Sequence, residues 1–276
     1  MKLLITGATG FIGKNLVELY RDRYDIISPS RKDDLSKVLE NERPDKIINS
    51  AAEIYNADVM FDSNIILTLK CLEYLQKNPS AKMIQIGSSA EYGPLNHPSS
   101  ENDKINPVDM YQATKGSATL LCQGYARFYK LDITIARPYS VYGIYEKPHR
   151  LFPRLYRNFF KNEELVLYEG VHDFIYIDDF LRGIDTMLEN KLELGEIINF
   201  GSGIQYTNAQ VLELWEKVTG IKPNVKYNNY FNKMYENDIW CCDTGYAKKV
   251  INFSTQFDLE SGIKHFIEKC HQKGIY

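Results

Sequence analysis

A glycine-rich turn near the N-terminus constrains this chain more than any other feature. It spans residues 6–13, directly after the apolar run 3–5, and a helical pattern of apolar side chains begins at Leu16. A strand, a glycine turn and a helix in this order present bare backbone N–H groups at the positive end of a helix dipole, where a pyrophosphate fits. A side chain would block the close approach of the phosphates and of the helix to the strand. The turn therefore predicts a dinucleotide-binding domain.

Strand and helix patterns alternate beyond this turn, which indicates βαβ units and a parallel sheet. The predicted strands are 2–5, 25–28, 46–49, 82–86 and 132–136, and the predicted helices are 13–23, 35–42, about 61–75 and 111–129. Further strands are predicted at 174–177 and 197–200, with helices at 151–162, 178–188, 211–218 and 259–267. We predict an α/β fold with a nucleotide-binding domain at 1–139, resumed at about 171–200. A smaller substrate-binding lobe at 140–170 and 201–276 completes the chain, with the ligand crevice between them.

Composition excludes several classes of protein. The net charge is −3 and the charged fraction is 25%, which gives no electrostatic case for nucleic acid or membrane binding. The five cysteines are scattered, with no Cys-x-x-Cys pair, which disfavours a disulfide framework and a zinc site. We therefore expect no metal site. We also expect a cytoplasmic protein, because glycine appears too early for a signal peptide and no apolar run approaches membrane-spanning length.

Tyr111 and Lys115 form a candidate acid–base pair. They stand four residues apart at the start of the helix predicted at 111–129, so both side chains share one face. A free tyrosine has a pKa of about 10, and a nearby lysine cation lowers that pKa toward neutrality. The pair can then move a proton on or off an oxygen of the substrate. Ser88 and Ser89 follow the strand predicted at 82–86, at the carboxyl edge of the sheet, where a serine hydroxyl can hydrogen-bond the oxygen that Tyr111 protonates. We prefer Ser88 over Ser89 as the catalytic serine. The alternative is that these serines only form a turn or cap a helix.

Six short motifs follow one another along the chain: residues 6–13, 49–52, 87–93, Tyr111-x-x-x-Lys115, 137–143 and 173–179. Together they resemble the extended short-chain dehydrogenase/reductases, specifically the nucleotide-sugar epimerases and 4-keto reductases of the NAD-dependent epimerase/dehydratase family. The resemblance implies a Rossmann-type doubly wound parallel sheet with a smaller C-terminal α/β lobe. It also implies a bound NAD(P), a nucleotide-sugar substrate and catalytic roles for Ser88, Tyr111 and Lys115.

The resemblance also assigns binding residues and a partner. The cofactor-binding residues are Gly7, Thr9, Gly10, Phe11, Ile12, Gly13, Ser30, Arg31, Lys32, Asp34, Leu35, Ala51, Ala52, Tyr111, Lys115, Tyr139 and Val141. The substrate-binding residues are Ser89, Glu91, Tyr139, Ser140, His149, Arg154 and His172. A homodimer through the helices near 57–75 and 111–129 is implied, although burial against the sheet also explains their apolar faces.

Departures from the family pattern narrow the reaction. Dehydratases of the family carry an adjacent Asp-Glu where this chain has Ser89 and Ala90, and Glu91 is one place off, on the other face of an extended segment. Enzymes similar to fucose synthase need a cysteine at Ala90 for 3,5-epimerisation. What remains is oxidation or reduction of a sugar carbon. We expect a reductase of a 4-keto sugar nucleotide, with Tyr111 as the acid; the alternative is a 4-epimerase that retains NAD.

The cofactor prediction rests on the end of the second strand, which reads Ser28-Pro29-Ser30-Arg31-Lys32. NAD enzymes usually have an acid here for the ribose 2′-hydroxyl. Two hydroxyls and two cations suit a 2′-phosphate instead, and Arg31 can clamp it bidentately. NADP(H) is therefore favoured over NAD, and a solvated basic turn is the alternative explanation.

The substrate side is the least typical part of the chain. His172 stands where the family usually has an arginine for the diphosphate, and the usual C-terminal arginine is missing, with Lys233 the nearest cation. This keeps a carbonyl substrate without a nucleotide open as an alternative. Two other classes are weighed: the presence of Ser88, Tyr111 and Lys115 argues against a non-catalytic dinucleotide sensor, and the acidic net charge argues against an RNA-binding protein. Other candidates for substrate contact are the cations Lys147 and Arg150 and the aromatic residues Tyr227, Tyr230, Phe231 and Tyr235.

Overall fold

The computed structural model describes residues 1–228 and 239–276, which form two compact units. The first unit comprises 1–93, 101–138 and 181–199, and the second comprises 94–100, 139–180 and 200–276. The strands are β1 (Lys2–Thr6), β2 (Asp25–Ile27), β3 (Lys46–Asn49), β4 (Lys82–Ile86), β5 (Asp132–Pro138), β6 (Ser140–Tyr142), β7 (Leu165–Tyr168), β8 (Val171–Tyr176), β9 (Ile197–Phe200), β10 (Gln205–Thr207) and β11 (Val225–Asn228).

The helices alternate with these strands. They are α1 (Phe11–Tyr20), α2 (Leu35–Glu42), α3 (Ala57–Phe61), α4 (Leu67–Lys77), α5 (Met110–Tyr129), α6 (Leu151–Lys161), α7 (Ile177–Glu189), α8 (Asn208–Thr219), α9 (Gly245–Ile251) and α10 (Leu259–Lys273). A π-helical turn, Asp62–Ile66, joins α3 to α4, and a 3₁₀ turn, Ser89–Tyr92, follows β4. The helix predicted at 61–75 therefore exists, but the π turn interrupts it.

The first unit is built on a six-stranded sheet with the order β2-β1-β3-β4-β5-β9. β1 pairs in parallel with β2 and β3, β3 with β4, and β4 with β5. The predicted α/β fold with a parallel sheet is confirmed. The chain leaves β1 for β2 on one side and then crosses to β3 on the other, so β1 and β3 form the switch point. Ligands of doubly wound sheets bind outside the carboxyl ends of such strands.

The core of the first unit explains why these segments are strands and helices. Its strands read as nearly continuous apolar runs, as expected where both faces of a parallel sheet are covered. Leu4, Ile47, Met83 and Ile133 are fully buried, and they pack with apolar side chains of α2, α4 and α5. Because the strands are held at their centres by this packing, their carboxyl ends stay free to carry polar loops.

The second unit contains two small sheets and an aromatic core. β8 pairs in parallel with β6 and antiparallel with β10, and β7 pairs with β11. The rings of Tyr142 and Phe152 stack at 3.9 Å between centroids, and Trp215 and Phe266 surround them. The predicted boundary assigned residues 171–176 to the nucleotide-binding domain, whereas β8 belongs to the sheet of the second unit. The other predicted boundaries stay predictions. In the described ranges, no helix is both long and apolar enough to span a membrane.

Candidate active site

The glycine turn after β1 forms a cradle without side chains. Gly7 has a φ of 67°, and a Cβ atom there would lie 2.8 Å from the Cα of Ala51, in the loop after β3. A Cβ atom on Gly13 would lie 2.1 Å from the carbonyl oxygen of Gly7. Gly10 is the N-cap of α1, and its N–H donates to the carbonyl of Gly7 at 2.8 Å. The first turn of α1 and the carboxyl ends of β1 and β3 thus approach too closely for any other residue at Gly7 or Gly13.

A buried polar network fixes the ends of the three strands beside this cradle. The Thr6 hydroxyl donates to the side-chain oxygen of Asn49 at 2.5 Å and accepts from the N–H of Ala51 at 3.1 Å. The Asn49 amide donates to Thr68 at 3.0 Å and to Gln85 at 2.7 Å. Every contact lies at or under the sheet edge where a dinucleotide would bind, so the loops after β1 and β3 are held in place before any ligand arrives. Sequence reasoning singled out the motif around Asn49 but missed Thr68 and Gln85.

The predicted 2′-phosphate clamp, Arg31, lies beside a carboxylate. Its guanidinium is 3.6 Å from Glu53, and its side chain is 82% exposed. The Glu53 carboxylate accepts the backbone N–H groups of Ile54, Tyr55 and Asn56, and these bonds hold its pKa below the usual value. Arg31 therefore has a partner for its charge without any phosphate. A second carboxylate stands nearby in the chain, since Asp33 accepts the N–H of Ser30 at 2.7 Å.

Asp34 and Leu35, two of the predicted cofactor-binding residues, are the N-cap and the first residue of α2. The Asp34 carboxylate caps the helix by accepting the N–H of Ser36 at 3.1 Å, and it lies 3.7 Å from Lys70. Leu35 is only 6% exposed and belongs to the apolar core. Its side chain packs inward as the first apolar position of this amphipathic helix, and the cofactor contact predicted for Asp34 and Leu35 stays a prediction.

Lys115 connects α5 to the end of β4. α5 begins after Asp109, whose carboxylate accepts the N–H of Gln112, so Tyr111 and Lys115 both lie in its first two turns. Lys115 is buried, and its ammonium donates to the carbonyl of Ile86, the last residue of β4. Burial lowers the pKa of Lys115, and the negative charge of Glu91 partly opposes that shift. Lys115 is thus bonded to a residue two positions before Ser88, at the predicted catalytic edge of the sheet.

Ser88 is held in extended conformation at the N-cap of the 3₁₀ turn. Its hydroxyl oxygen accepts the N–H of Ala90 at 3.2 Å, and both Ser88 and Ser89 are largely buried. The helix-cap role considered for this serine is therefore present. Capping uses the oxygen as an acceptor only, so the hydroxyl proton stays available for a donated bond.

Glu91 completes a reciprocal capping box with Ser88 and has no surface exposure. One carboxylate oxygen accepts the N–H of Ser88 at 2.8 Å, and the other accepts Nε of Arg137 at 2.8 Å. Arg137 is also buried, at 1% side-chain exposure. The resemblance implied that Glu91 touches the substrate. The structure corrects this, because three residues after an N-cap the side chain turns back to the N-cap backbone.

The remaining substrate candidates lie in the second unit, where Ser140 and His172 meet. The Ser140 hydroxyl is 3.3 Å from Nδ1 of His172. Burial, and to a smaller degree the charge of Arg150, lowers the pKa of His172 to about 4. His172 is therefore neutral at pH 7 and does not supply the positive charge of the arginine that the family usually has here.

Other predicted contacts of the second unit have local partners. Arg154 donates to the carbonyl of Val166 at 2.6 Å, and the hydroxyl of the buried Tyr139 bonds that of Ser99. Val141 is buried, whereas His149 and Tyr227 are exposed. The predicted roles of these side chains, cofactor binding for Val141, both cofactor and substrate binding for Tyr139, and substrate binding for the others, stay predictions. Tyr230, Phe231, Lys233 and Tyr235 lie outside the described residues.

Comparison with known proteins decides the family. The model of the NAD dependent epimerase/dehydratase family matches residues 3–201 of the 276. The chain belongs to this family. Among the described residues, no group of three or more His, Cys, Asp or Glu side chains is arranged to hold a metal ion.

Three relatives illustrate the range of the family. The UDP-glucuronate 4-epimerase of Thermodesulfobacterium geofontis is 32% identical over 222 residues, which cover 78% of this chain and 67% of that protein. The GDP-6-deoxy-D-talose 4-dehydrogenase of Aggregatibacter actinomycetemcomitans is 28% identical and covers 84% of each chain. The crystal structure of UDP-glucuronic acid 4-epimerase from Bacillus cereus, in complex with UDP-glucuronic acid and NAD, is 26% identical with a TM-score of 0.87 and covers 99% of this chain and 100% of that one.

Proposed function

We propose that the protein is a nucleotide-sugar 4-epimerase that retains NAD. This corrects the order of the two sequence-based expectations, in which the 4-keto reductase came first. The family relatives that support the change are the two UDP-glucuronate 4-epimerases, one of them solved with NAD. The proposal keeps the predicted class of substrate, a sugar joined to a nucleoside diphosphate.

The glycine turn supports the cofactor part of this proposal. Cβ atoms at Gly7 and Gly13 would collide with backbone, and the N-cap Gly10 offers no side chain to cap the N–H groups at the start of α1. A pyrophosphate fits such a helix N-terminus. Bound there, NAD would take up a hydride from carbon 4 of the sugar and give it back. The residues that would hold it are those of the glycine turn, Ala51, Ala52 and Lys115.

The acid–base chemistry falls to Ser88, Tyr111 and Lys115. Tyr111 would take the proton of the sugar 4-hydroxyl as that carbon is oxidised, and it would return the proton to the oxygen on reduction. Ser88 would donate a hydrogen bond to the same oxygen in both directions. The Lys115 cation would stabilise the phenolate of Tyr111. Burial lowers the pKa of Lys115 and so disfavours this cation, whereas the nearby negative charge of Glu91 favours it.

One observation carries the choice of reaction: Glu91, the one acid in residues 87–93, is engaged with Ser88 and Arg137. Removal of water from the sugar needs an acid and a base in this segment, and neither Ser89 nor Ala90 supplies one. Proton exchange at the 4-oxygen needs only the tyrosine. The arrangement therefore supports oxidation and reduction at carbon 4 over dehydration.

A 4-keto sugar-nucleotide reductase that uses NADP(H) is the second candidate. Ser30, Arg31 and Lys32 favour it, because a guanidinium and an ammonium beside a hydroxyl suit a 2′-phosphate. The similarity to the GDP-6-deoxy-D-talose 4-dehydrogenase also favours it. The pairing of Arg31 with Glu53 counts against it.

We also propose a homodimer. Phe61 on α3 and Leu120 and Phe128 on α5 are exposed apolar side chains on helices of the first unit. A second copy that covers this face would remove them from water. The cytoplasmic location expected from the sequence stays a prediction.

The test begins with freshly purified protein to which no cofactor is added. We expect denaturation to release NAD, identified by mass, and we expect incubation with UDP-glucuronate or UDP-glucose to yield the 4-epimer, detected by NMR. Tyr111→Phe serves as the inactive control. An empty dinucleotide site together with NADPH-dependent consumption of a 4-keto sugar nucleotide would replace the epimerase with the reductase. Retained dinucleotide without turnover on any nucleotide sugar would favour a sensor.

A further inference from the structure

Glu91 and Arg137 form a fully buried ion pair directly beneath the Ser88 backbone. Nε of Arg137 donates to the carboxylate at 2.8 Å, and Nη2 lies 2.8 Å from the same oxygen as an ion-pair contact. The two side chains are 0% and 1% exposed. A buried ion pair is weak evidence for stability, because the desolvation of two charges offsets their attraction. Its position therefore calls for another explanation.

The pair holds the backbone of the segment that carries Ser88. The carboxylate accepts the N–H of Ser88, and the backbone carbonyl of Glu91 accepts the N–H of Asn106 at 3.1 Å. Gly87 shows how close the contact is. A Cβ atom there would lie 2.7 Å from a carboxylate oxygen of Glu91 and 3.1 Å from Cγ of Arg137. Glycine at this position lets the ion pair lie against the backbone just before Ser88.

Arg137 is itself held from two sides. Its guanidinium lies over the ring of Tyr92, 4.6 Å from the centroid, and the Tyr92 hydroxyl donates to the side chain of Asn199 at 2.9 Å. Arg137 belongs to β5, Asn199 to β9 and Tyr92 to the 3₁₀ turn, so the contacts join two strands of the sheet to the turn. A charged and aromatic stack of this kind has little freedom to move, and the Ser88 N–H depends on it.

We propose that Glu91 and Arg137 are positioning residues: their ion pair fixes the backbone at Ser88 and so presents the Ser88 hydroxyl at a constant place for the substrate 4-oxygen. The inference rests on the proposed function, since it needs Ser88 to bind that oxygen. Neither residue touches the substrate. Both act through Ser88, and a small displacement of a catalytic group is enough to lower turnover strongly.

The main test variant is the double substitution Glu91→Leu with Arg137→Met. It removes both charges and replaces them with apolar side chains of similar size, an exchange that buried ion pairs often tolerate without loss of stability. The Ser88 N–H then has no acceptor. Glu91→Gln with Arg137→Met is the conservative counterpart, because the amide oxygen of glutamine can still accept from Ser88. Asp179→Asn is the matched control: Asp179 is a buried carboxylate of the second unit that accepts the N–H groups of Gln256 and Phe257.

Hydrogen exchange of the backbone amides in residues 87–92 is the first readout, since it needs no substrate. We expect exchange about tenfold faster in the Leu/Met variant, slower again in the Gln/Met variant, and unchanged in Asp179→Asn. Exchange at the wild-type rate in a folded Leu/Met variant would overturn the proposal. This result stands whether or not the protein is an epimerase.

Steady-state kinetics is the second readout. We expect kcat of the Leu/Met variant to fall by roughly ten- to a hundredfold with KM changed little, and the Gln/Met variant to regain part of the loss. Added to Ser88→Ala, the Leu/Met pair should lower kcat no further, because its effect passes through the missing hydroxyl. Equal losses with and without Ser88 would refute the positioning role. A wild-type protein without turnover on any nucleotide sugar would instead refute the proposed function, and the exchange result would still decide whether the pair holds Ser88.

Discussion

Replacement of Gly13 and of Gly10 by alanine should separate two duties of the glycine turn. At Gly13 the new methyl group would lie 2.1 Å from the Gly7 oxygen, 2.6 Å from the Gly7 carbonyl carbon and 2.7 Å from the Ala8 Cα. All three atoms are backbone, so α1 must retreat from the turn by about 1 Å. Overpacking costs about 1–3 kcal/mol, and the better helix propensity of alanine returns about 1 kcal/mol. Because no flexible side chain can yield, we expect a net loss near the upper end, about 2 kcal/mol.

At Gly10 the same methyl group would meet only the Gly7 oxygen, at 3.1 Å, and the backbone is already extended. Gly10→Ala should therefore leave the melting temperature nearly unchanged, whereas Gly13→Ala should lower it by roughly 4–8 °C. Calorimetric titration of the apoprotein with NAD supplies the second readout. Both variants should bind NAD at least about tenfold more weakly. In Gly10→Ala the reason is that the methyl group occupies the place of the pyrophosphate. Wild-type melting of Gly13→Ala would refute the packing argument, and wild-type affinity of Gly10→Ala would refute the phosphate site.

Four further predictions concern single residues. Tyr111→Phe should retain its dinucleotide but lose at least about a hundredfold in kcat; near-normal turnover would identify another acid. Arg31→Ala should weaken NADPH and NADH about equally in fluorescence titrations, because Glu53 already balances the Arg31 charge, and a far larger loss for NADPH would restore the case for NADP. Burial raises the pKa of Glu146 to about 7 despite Arg150, so the folded chain keeps a proton that the unfolded chain loses from about pH 4.5 upward. Thermal stability should therefore fall between pH 5 and 7, and Glu146→Gln should remove that slope. Leu120→Glu, at a residue 58% exposed, should convert a dimer into a 32.0 kDa monomer in light scattering, and an unchanged mass would place the interface elsewhere.

The sequence predicts the first unit well because its signals there are local. Alternating apolar runs and turn residues define β3, β4, β9 and α2 with the bounds that the structure has. The short strands β6, β7, β10 and β11 are not predicted. They lie outside the regular alternation of strands and helices that marks β2, β3 and β9, which are equally short, and most of their pairing partners lie far along the chain. The π turn between α3 and α4 also has no sequence signature. The sequence predicts a strand at 174–177, which overlaps β8, but it does not show which sheet that strand joins, because pairing partners are a tertiary property.

For the candidate site, sequence reasoning finds residue types but not their electrostatic partners. The sequence predicts that Arg31 clamps a 2′-phosphate, but folding brings Glu53, 22 positions later, within 3.6 Å of its guanidinium. His172 occupies the position of the usual arginine, but burial lowers its pKa to about 4, so it carries no positive charge at pH 7. Both corrections come from groups brought close by folding, and they change which ligand charges each side chain can balance.

Glu91 illustrates how one position in a turn can decide a reaction. In a 3₁₀ turn, residues three apart lie on the same side, so Ser88 at the N-cap and Glu91 three places on face each other. An acid one or two places earlier, where dehydratases of the family carry theirs, lies on a different side of the same turn. The same carboxylate can thus serve as a reactive group or as a support for the serine, according to its place in the turn. Here it supports the serine. Replacement of Glu91 alone would destabilise the fold, because it would leave Arg137 charged and unpaired in the core.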